Sequence, residues 1–228
     1  MSHPIVGWEQ EAPVPNHAFN DYLSARDGRL YFEDLDLAQL FIGGRQDQGL
    51  GRTLPSPLEL VYLPKIRQKI ERMRRIFADV IAEMGYEGRF HYAYASKANA
   101  AEEVVRTALS AGAHYEMSST VDVEIARLMV AAGHLPPERM VICNGFKPGG
   151  TDYDDNIINL RREHEHVIPV VEDLGELPPL IESGLSFELG LRQKSYGPHQ
   201  GLADMDGVNS RFGMKVADVH KAADLIAS

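Results

Sequence analysis

Lys97 closes an apolar run, FHYAYASK (90–97), at the point where helical spacing begins. If that run is a strand of a parallel sheet wrapped by helices, its carboxyl end lies at the mouth where reactive side chains of such folds collect. A lysine on such a rim can be partly desolvated, which would lower its pKa and free a neutral amine able to condense with an aldehyde. The same position also suits a lysine that only ends a strand in solvent. Other candidates are plainer. His164 and His166 in REHEH are two residues apart, do not share a helix face, and read as a solvated helix end rather than as metal ligands. Asn144-Gly145 with Pro148-Gly149-Gly150 has the composition of a phosphate-cradling loop but reads as a plain turn, because no helix N-terminus is clearly aimed at it. Asp152, Asp154 and Asp155 lack the spacing of a calcium loop and read as a helix start. Cys143 reads as a small buried strand residue.

The elements that must position Lys97 alternate. LELVY (58–62) is a short apolar run, and Lys65 to Gly85 has helical spacing with Ile66, Ile70, Met73, Phe77, Val80 and Ile81 on one face. FHYAYAS (90–96) reads as a strand and Ala101–Ala111 as a helix. HYEMSS (114–119) leads into a helix from Val121 to Ala132, for which Thr120 is the expected N-cap. MVICNGF (140–146), VIPVVED (167–173) and FELGLR (187–192) read as further strands. Helices are expected near 151–163, near 176–183 and from Val216 to Ala227. Upstream, residues 1–25 are rich in proline and polar residues and read as an arm. Asp27-Gly28 is a turn signal before a strand-like Leu30–Phe32, and GGRQDQGLGR (43–52) with Pro55 and Pro57 reads as a hinge. The expected organisation is therefore an arm, short strand and hinge over 1–55 and a main domain over 56–228.

Strands alternating with helices predict an α/β fold with a parallel sheet. No GxGxxG and no GxxxxGK[ST] follows any strand, so a dinucleotide or P-loop fold fits poorly. A (β/α) barrel fits better, but a closed one needs eight strands and typically ~250 residues, whereas about six units fit between 58 and 228. Composition sets outer limits. The chain has 228 residues, 44% of them hydrophobic, and a formal net charge of -10. No apolar run approaches the ~18 residues of a membrane span. The acidic balance disfavours non-specific binding to nucleic acid or to an anionic membrane, while a small cationic substrate is compatible. A single cysteine excludes an internal disulfide and fits a reducing compartment. The N-terminus lacks a signal-peptide pattern, so a cytosolic location is expected.

YASKANAAEEVVRTALSAG (94–112) resembles the pyridoxal-phosphate attachment motif of the fold-type III, or group IV, decarboxylases, which act on ornithine, diaminopimelate and arginine. Tyr94, Ala95, Lys97, Ala98, Asn99, Val104, Val105, Ala108 and Gly112 all fit that motif. Further likenesses follow in the family's order. HYEMSSTVDVEIA (114–126) looks like the next strand and helix start. VICNGFK (141–147) is similar to the CNGYK segment of biosynthetic arginine decarboxylases. LGLRQKSYG (189–197) resembles their LGVRAR strand, NSRFGM (209–214) their SRFG turn, and PLELVYLPKI (57–66) their first strand.

The resemblance, over roughly residues 55–228, implies an alanine racemase-like (β/α) barrel, incomplete at about six of eight units and without the C-terminal β-domain. It implies pyridoxal 5'-phosphate as cofactor and Lys97 as its Schiff-base lysine. Glu116 is the acidic residue near that lysine, Arg192 the arginine near the cofactor's phenolic oxygen, and Asn99 and Asp122 further cofactor-binding positions. Each has a plainer alternative: a solvated strand-end carboxylate for Glu116, a partner of a surface acid for Arg192, a helix-start cap for Asn99 and a first-turn acid for Asp122. The implied activity is decarboxylation of a basic amino acid of the arginine type, with a small amino acid as partner and neither nucleic acid nor membrane. Family members continue after SRFGM into an HxHxGS strand, a Gly-rich phosphate loop and a β-domain, none of which this sequence contains. The expectation is therefore weak cofactor binding and little activity alone, as an N-terminal fragment. The chain would then form a homo-oligomer or associate with the missing C-terminal part. Alternatives are a non-catalytic assembly or regulatory remnant of the barrel and an amino-acid racemase. A single-domain pyridoxal-phosphate carrier has a similar length, but its lysine lies much nearer the N-terminus.

Overall fold

A computed structural model of the chain describes residues 16–18, 20–42, 57, 59–147, 151–194 and 212–227. It divides into two compact units, Met1–Val61 and Tyr62–Ser228.

The first unit is an antiparallel meander of β1 (Asn16–Ala18), β2 (Leu23–Arg26), β3 (Arg29–Phe32) and β4 (Leu35–Asp36), followed by a short helix α1 (Gln39–Ile42). Asp27 and Gly28, both at positive φ, form the two-residue β2–β3 hairpin that such residues favour. Asp36 is buried and accepts from Arg29 Nη1 at 2.7 Å. The Arg29 hydrogen bond holds that carboxyl below the ordinary aspartate range. The expectation of an arm or loop is corrected only for Asn16–Ala18 and Leu23–Ala25, which pair as strands; residues 1–15 lie outside the described residues. LSAR has none of the β-branched or aromatic residues that mark a strand, and it is the pairing with RLYF that makes it one.

The second unit opens with α2 (Leu63–Met84), which carries Pro64 in its first turn and ends at Gly85 in the left-handed conformation. Then come β5 (Ala93–Ala95), a 3₁₀ turn (Ser96–Ala98), α3 (Glu102–Ser110), β6 (His114–Met117) and α4 (Thr120–Ala131). After these lie β7 (Val141–Cys143), α5 (Asp152–Glu163), β8 (Val167–Val171), a 3₁₀ turn (Leu174–Glu176), α6 (Leu177–Glu182), β9 (Gly190–Leu191) and α7 (Val216–Ala227). The five strands form one parallel sheet in chain order, β5-β6-β7-β8-β9. Tyr115, Met117, Val141, Cys143 and Val167 point into a core shared with Val105, Leu109, Val123, Met129, Ile157 and Leu160 of the helices. By strand alternation, Glu116, Ile142, Ile168 and Val170 lie on the opposite face. Burial of these apolar side chains, worth roughly 1.5–3 kcal/mol each, holds the strand ends in register.

The alternation of elements is as expected, but the sheet holds five strands among the described residues rather than six. LELVY is not one of them. Leu60 and Val61 are exposed and the chain turns directly into α2 at Pro64. Two other runs are shortened: only Ala93–Ala95 of FHYAYAS and Gly190–Leu191 of FELGLR pair. The N-cap of α4 is Ser119, not Thr120, because Ser119 Oγ accepts from the Asp122 amide. His164 is not solvated. It is buried and its Nε2 lies 2.6 Å from the Arg139 carbonyl. Pro148-Gly149-Gly150, the whole of the 43–52 hinge and residues 209–211 of NSRFGM lie outside the described residues.

Candidate functional site at the carboxyl ends of the strands

Lys97 sits in the 3₁₀ turn directly after β5, with its side chain exposed. Its amine has no hydrogen-bond or ion-pair partner among the described residues. The turn beneath it is braced on two sides. The buried hydroxyl of Ser96 donates to Asp122 Oδ1 at 2.7 Å, with the Glu116 carbonyl a second acceptor at 3.1 Å. On the other side Tyr94 donates from its hydroxyl to the Asn99 carbonyl at 2.9 Å, and Asn99 Oδ1 accepts from the Ala101 amide, opening α3. Burial pushes the Tyr94 phenol above its ordinary pKa, so it remains a donor.

Asp122 is buried, and its other oxygen accepts from the Ser118 amide at 3.0 Å and from Ser119 Oγ at 2.8 Å. With Ser119 accepting from the Asp122 amide in return, this is a reciprocal cap three residues apart. The carboxylate is thus engaged by the chain's own donors, and it bears on Lys97 through Ser96. Asn99 turns the chain toward α3 through the Ala101 amide, while the N-cap itself is Ala101, without a side-chain cap.

Glu116 lies on β6 in register with Ala95 of β5 and Ile142 of β7. It is buried, and Oε1 accepts from Asn144 Nδ2 at 2.8 Å. Asn144 follows β7, held by its own amide on the Met117 carbonyl and by Tyr153 Oη on its carbonyl at 2.7 Å. Glu172 follows β8. It is buried and accepts from the Gly145 amide, from Arg192 Nη1 at 3.0 Å and from the Gly213 amide. Arg192 follows β9, and its guanidinium also lies over the Phe212 ring. The side chain of Arg192 remains 41% exposed, so its acid partner leaves part of the fork available. Its partner is a buried acid at a strand end, not a surface one.

Beneath this rim Lys147 is buried to 1% exposure. Its ammonium donates to the Gly145 carbonyl at 2.5 Å, the Val170 carbonyl at 2.7 Å and Glu176 Oε2 at 3.1 Å, which uses all three protons. Glu176 Oε1 and both Asp154 oxygens are buried without a partner among the described residues. Burial, then the neighbouring Glu176 charge, pushes the Asp154 carboxyl up to about 6, and burial raises Glu176 as well. Lys147 with Glu176, and Glu172 on the Gly145 amide, thus fix residues 145–147, the segment that follows Asn144.

The structure therefore aligns Lys97, Glu116, Asn144, Glu172 and Arg192 at the carboxyl ends of five successive parallel strands. In the sequence Asn144 reads only as part of a turn, Asn144 and Lys147 enter otherwise only within the VICNGFK likeness, and Glu172 has no role. Their position just past an apolar strand was the available signal. A free amine at one strand end, a buried carboxylate on the next strand and a partly exposed guanidinium at the far end of the row fit the carbonyl and the phenolic oxygen of a pyridine aldehyde.

Residues 63–228 match the profile of a family described as "Pyridoxal-dependent decarboxylase, pyridoxal binding domain". The chain belongs to this family. A biosynthetic arginine decarboxylase of Trichlorobacter lovleyi is 26% identical over 188 residues, 79% of this chain and 29% of that protein. Arginine decarboxylase 1 of Oryza sativa subsp. japonica is 27% identical over 204 residues, 82% of this chain and 28% of that protein. A crystal structure of diaminopimelate decarboxylase from M. jannaschii superposes with a TM-score of 0.69 at 22% identity. It covers 92% of this chain and 45% of that one. The chain thus spans under a third of the length of these curated decarboxylases, and the structural likeness establishes the fold, here a five-stranded parallel part of that α/β domain. Among the described residues no helix is long and apolar enough to cross a membrane, and no group of three His, Cys, Asp or Glu side chains could hold a metal ion.

Proposed function

We propose that this chain supplies the lysine-bearing part of a pyridoxal-phosphate-dependent decarboxylase site acting on a basic amino acid of the arginine type, and that it is weakly active or inactive alone. The observation that carries the reading is the row of five strand ends, with the unpartnered amine of Lys97 at one end and Arg192 at the other. The cofactor, when bound, supplies an electron sink for the electron pair left as CO2 departs. Lys97 would hold its aldehyde carbon. Glu116, fixed by Asn144, would keep a carboxylate at the neighbouring strand end, within the same row as that amine. Arg192, aimed by Glu172, would face the cofactor's phenolic oxygen. Asp122 and Asn99 would act as positioning residues, through Ser96 and through the turn into α3, rather than by touching the cofactor. The preference for a basic substrate rests on the arginine decarboxylases it resembles.

Titrating the purified chain with pyridoxal phosphate tests this. A band near about 420 nm that saturates, and that Lys97→Ala abolishes while the fold is retained, supports the reading. A chain that stays colourless would favour a non-catalytic assembly role for the same fold.

A further inference from the structure

The opposite edge of the parallel sheet, where its strands begin, gathers basic side chains that the Lys97 row does not use. His91 lies just before β5, His114 opens β6, Arg139 lies just before β7 and His166 just before β8. Arg74 reaches the same edge from α2, donating from Nη1 to the Ala111 carbonyl at 3.2 Å. The two guanidinium groups converge on Gly112, which stands at φ +90. A Cβ there would lie 3.2 Å from Arg74 Cζ and 3.7 Å from Arg139 Nη2, so only glycine leaves both groups their place. Neither arginine has a carboxylate partner among the described residues, and Arg139 Nε is buried with no hydrogen-bond partner.

The histidines add to the same sign. The Met140 amide donates to His114 Nδ1 at 3.0 Å, so that nitrogen carries no proton. Neutral His114 therefore presents its Nε2–H to His91 Nδ1, 3.1 Å away, and His91 keeps its own proton on Nε2. Burial, then the charges of His91, Arg139, Arg74 and His166, hold His114 below the ordinary histidine range. Those four groups come from four different segments and all are basic. Like charges gathered with an unpaired buried donor are costly until an anion neutralises them.

We propose that this edge binds a phosphate-type dianion, held by the forks of Arg74 and Arg139 with His91 and His166 beside them. A dianion matches two guanidinium charges, and phosphate oxygens match their planar donors, whereas a single carboxylate would leave one charge over. Arg74 also lines an open cleft of about 710 Å³ with Arg75, Arg89, Tyr86 and Phe90, which has room for the organic part of a phosphate monoester. Glu71, the one acid among the described residues lining that cleft, is paired with Arg67 at 3.9 Å.

The site lies at the strand ends away from Lys97, and it stands apart from the pyridoxal-phosphate reading. Its test titrates inorganic phosphate, and separately phenyl phosphate, into the full chain at pH 7 and constant ionic strength, following the assigned imidazole resonances. Binding should saturate, shift the signals of His91, His114 and His166, and move their titration to higher pH, because a neighbouring anion favours the charged ring. Acetate at the same concentration should do neither. Arg74→Gln and Arg139→Gln should each weaken phosphate binding by roughly tenfold or more with circular dichroism unchanged. Arg72→Gln on the same helix and Arg192→Gln at the other strand ends should bind as wild type does. Tighter phenyl phosphate would identify a monoester as the occupant, and equal affinity the free ion. Shifts that never saturate, an affinity that survives both Arg74→Gln and Arg139→Gln, or one that Arg192→Gln removes would each overturn the proposal.

Discussion

Lys147→Met probes the support under the strand ends. In the native chain all three ammonium protons are used inside the protein, on Glu176, Gly145 and Val170. Methionine fills similar volume but leaves the Glu176 carboxylate beside the buried Asp154 with no cation. Removing one partner of a buried ion pair typically costs ~3–5 kcal/mol, since the other charge stays desolvated. Part of this is relieved if Glu176 takes up a proton, so the lower end is expected at pH 5 and the upper end at pH 8. With a urea m-value of about 2 kcal/mol/M, the midpoint should fall by about 1.5–2.5 M without a change in slope. Adding Glu176→Met to Lys147→Met should recover most of the ionic part, leaving roughly 1 kcal/mol for each carbonyl that has lost its donor. A single Lys147→Met variant within ~1 kcal/mol of wild type at both pH values would refute the view that this lysine clamps the β7–α5 loop.

Asp154→Asn should act in the opposite sense. The folded pKa of Asp154 lies above its unfolded value, at about 6, so its contribution is full below pH 4 and is lost as pH rises through 6. The variant should therefore gain on wild type by ~1–3 kcal/mol between pH 4 and pH 7; parallel stability–pH curves would contradict this. Asp122→Ala strands the Ser96 and Ser119 hydroxyls and the Ser118 amide. It should cost ~2–4 kcal/mol in thermal or urea unfolding, and a loss under ~1 kcal/mol would show that the brace under Lys97 is dispensable. Gly213→Ala forces an L side chain to φ +77, with its Cβ 2.9 Å from the Arg192 carbonyl oxygen. It should destabilise the chain by about 1–3 kcal/mol and weaken pyridoxal-phosphate binding through Arg192; unchanged stability and affinity would contradict this.

The sequence made the alternation of strands and helices readable because each core strand is a short apolar run and each helix has a periodic face. VIPVV and the helix from Val216 are cases in point. It misled where an apolar run found no neighbour, as in LELVY, since strand formation is decided by pairing rather than by composition. The β2–β3 hairpin shows the converse, with Asp27-Gly28 visible as a turn but LSAR silent until paired. The S-x-x-D pattern at Ser119 and Asp122 was a legible cap signal, yet the adjacent Thr120 competed with it. Lys97, Glu116 and Arg192 were legible as strand-end residues through a motif. The Lys147–Glu176–Asp154 cluster was not, because Glu176 lies 29 residues from Lys147 in the chain, and buried charges carry no periodic signal.

The account turns on which amine receives the cofactor. The most direct measurement is peptide mass mapping after the chain is mixed with one equivalent of pyridoxal phosphate and reduced with borohydride. The label should lie on Lys97 in preference to the exposed Lys69 and Lys215, and it should fall sharply in Glu116→Gln. Label spread over surface lysines, with Lys97 no richer than the rest, would contradict the central claim.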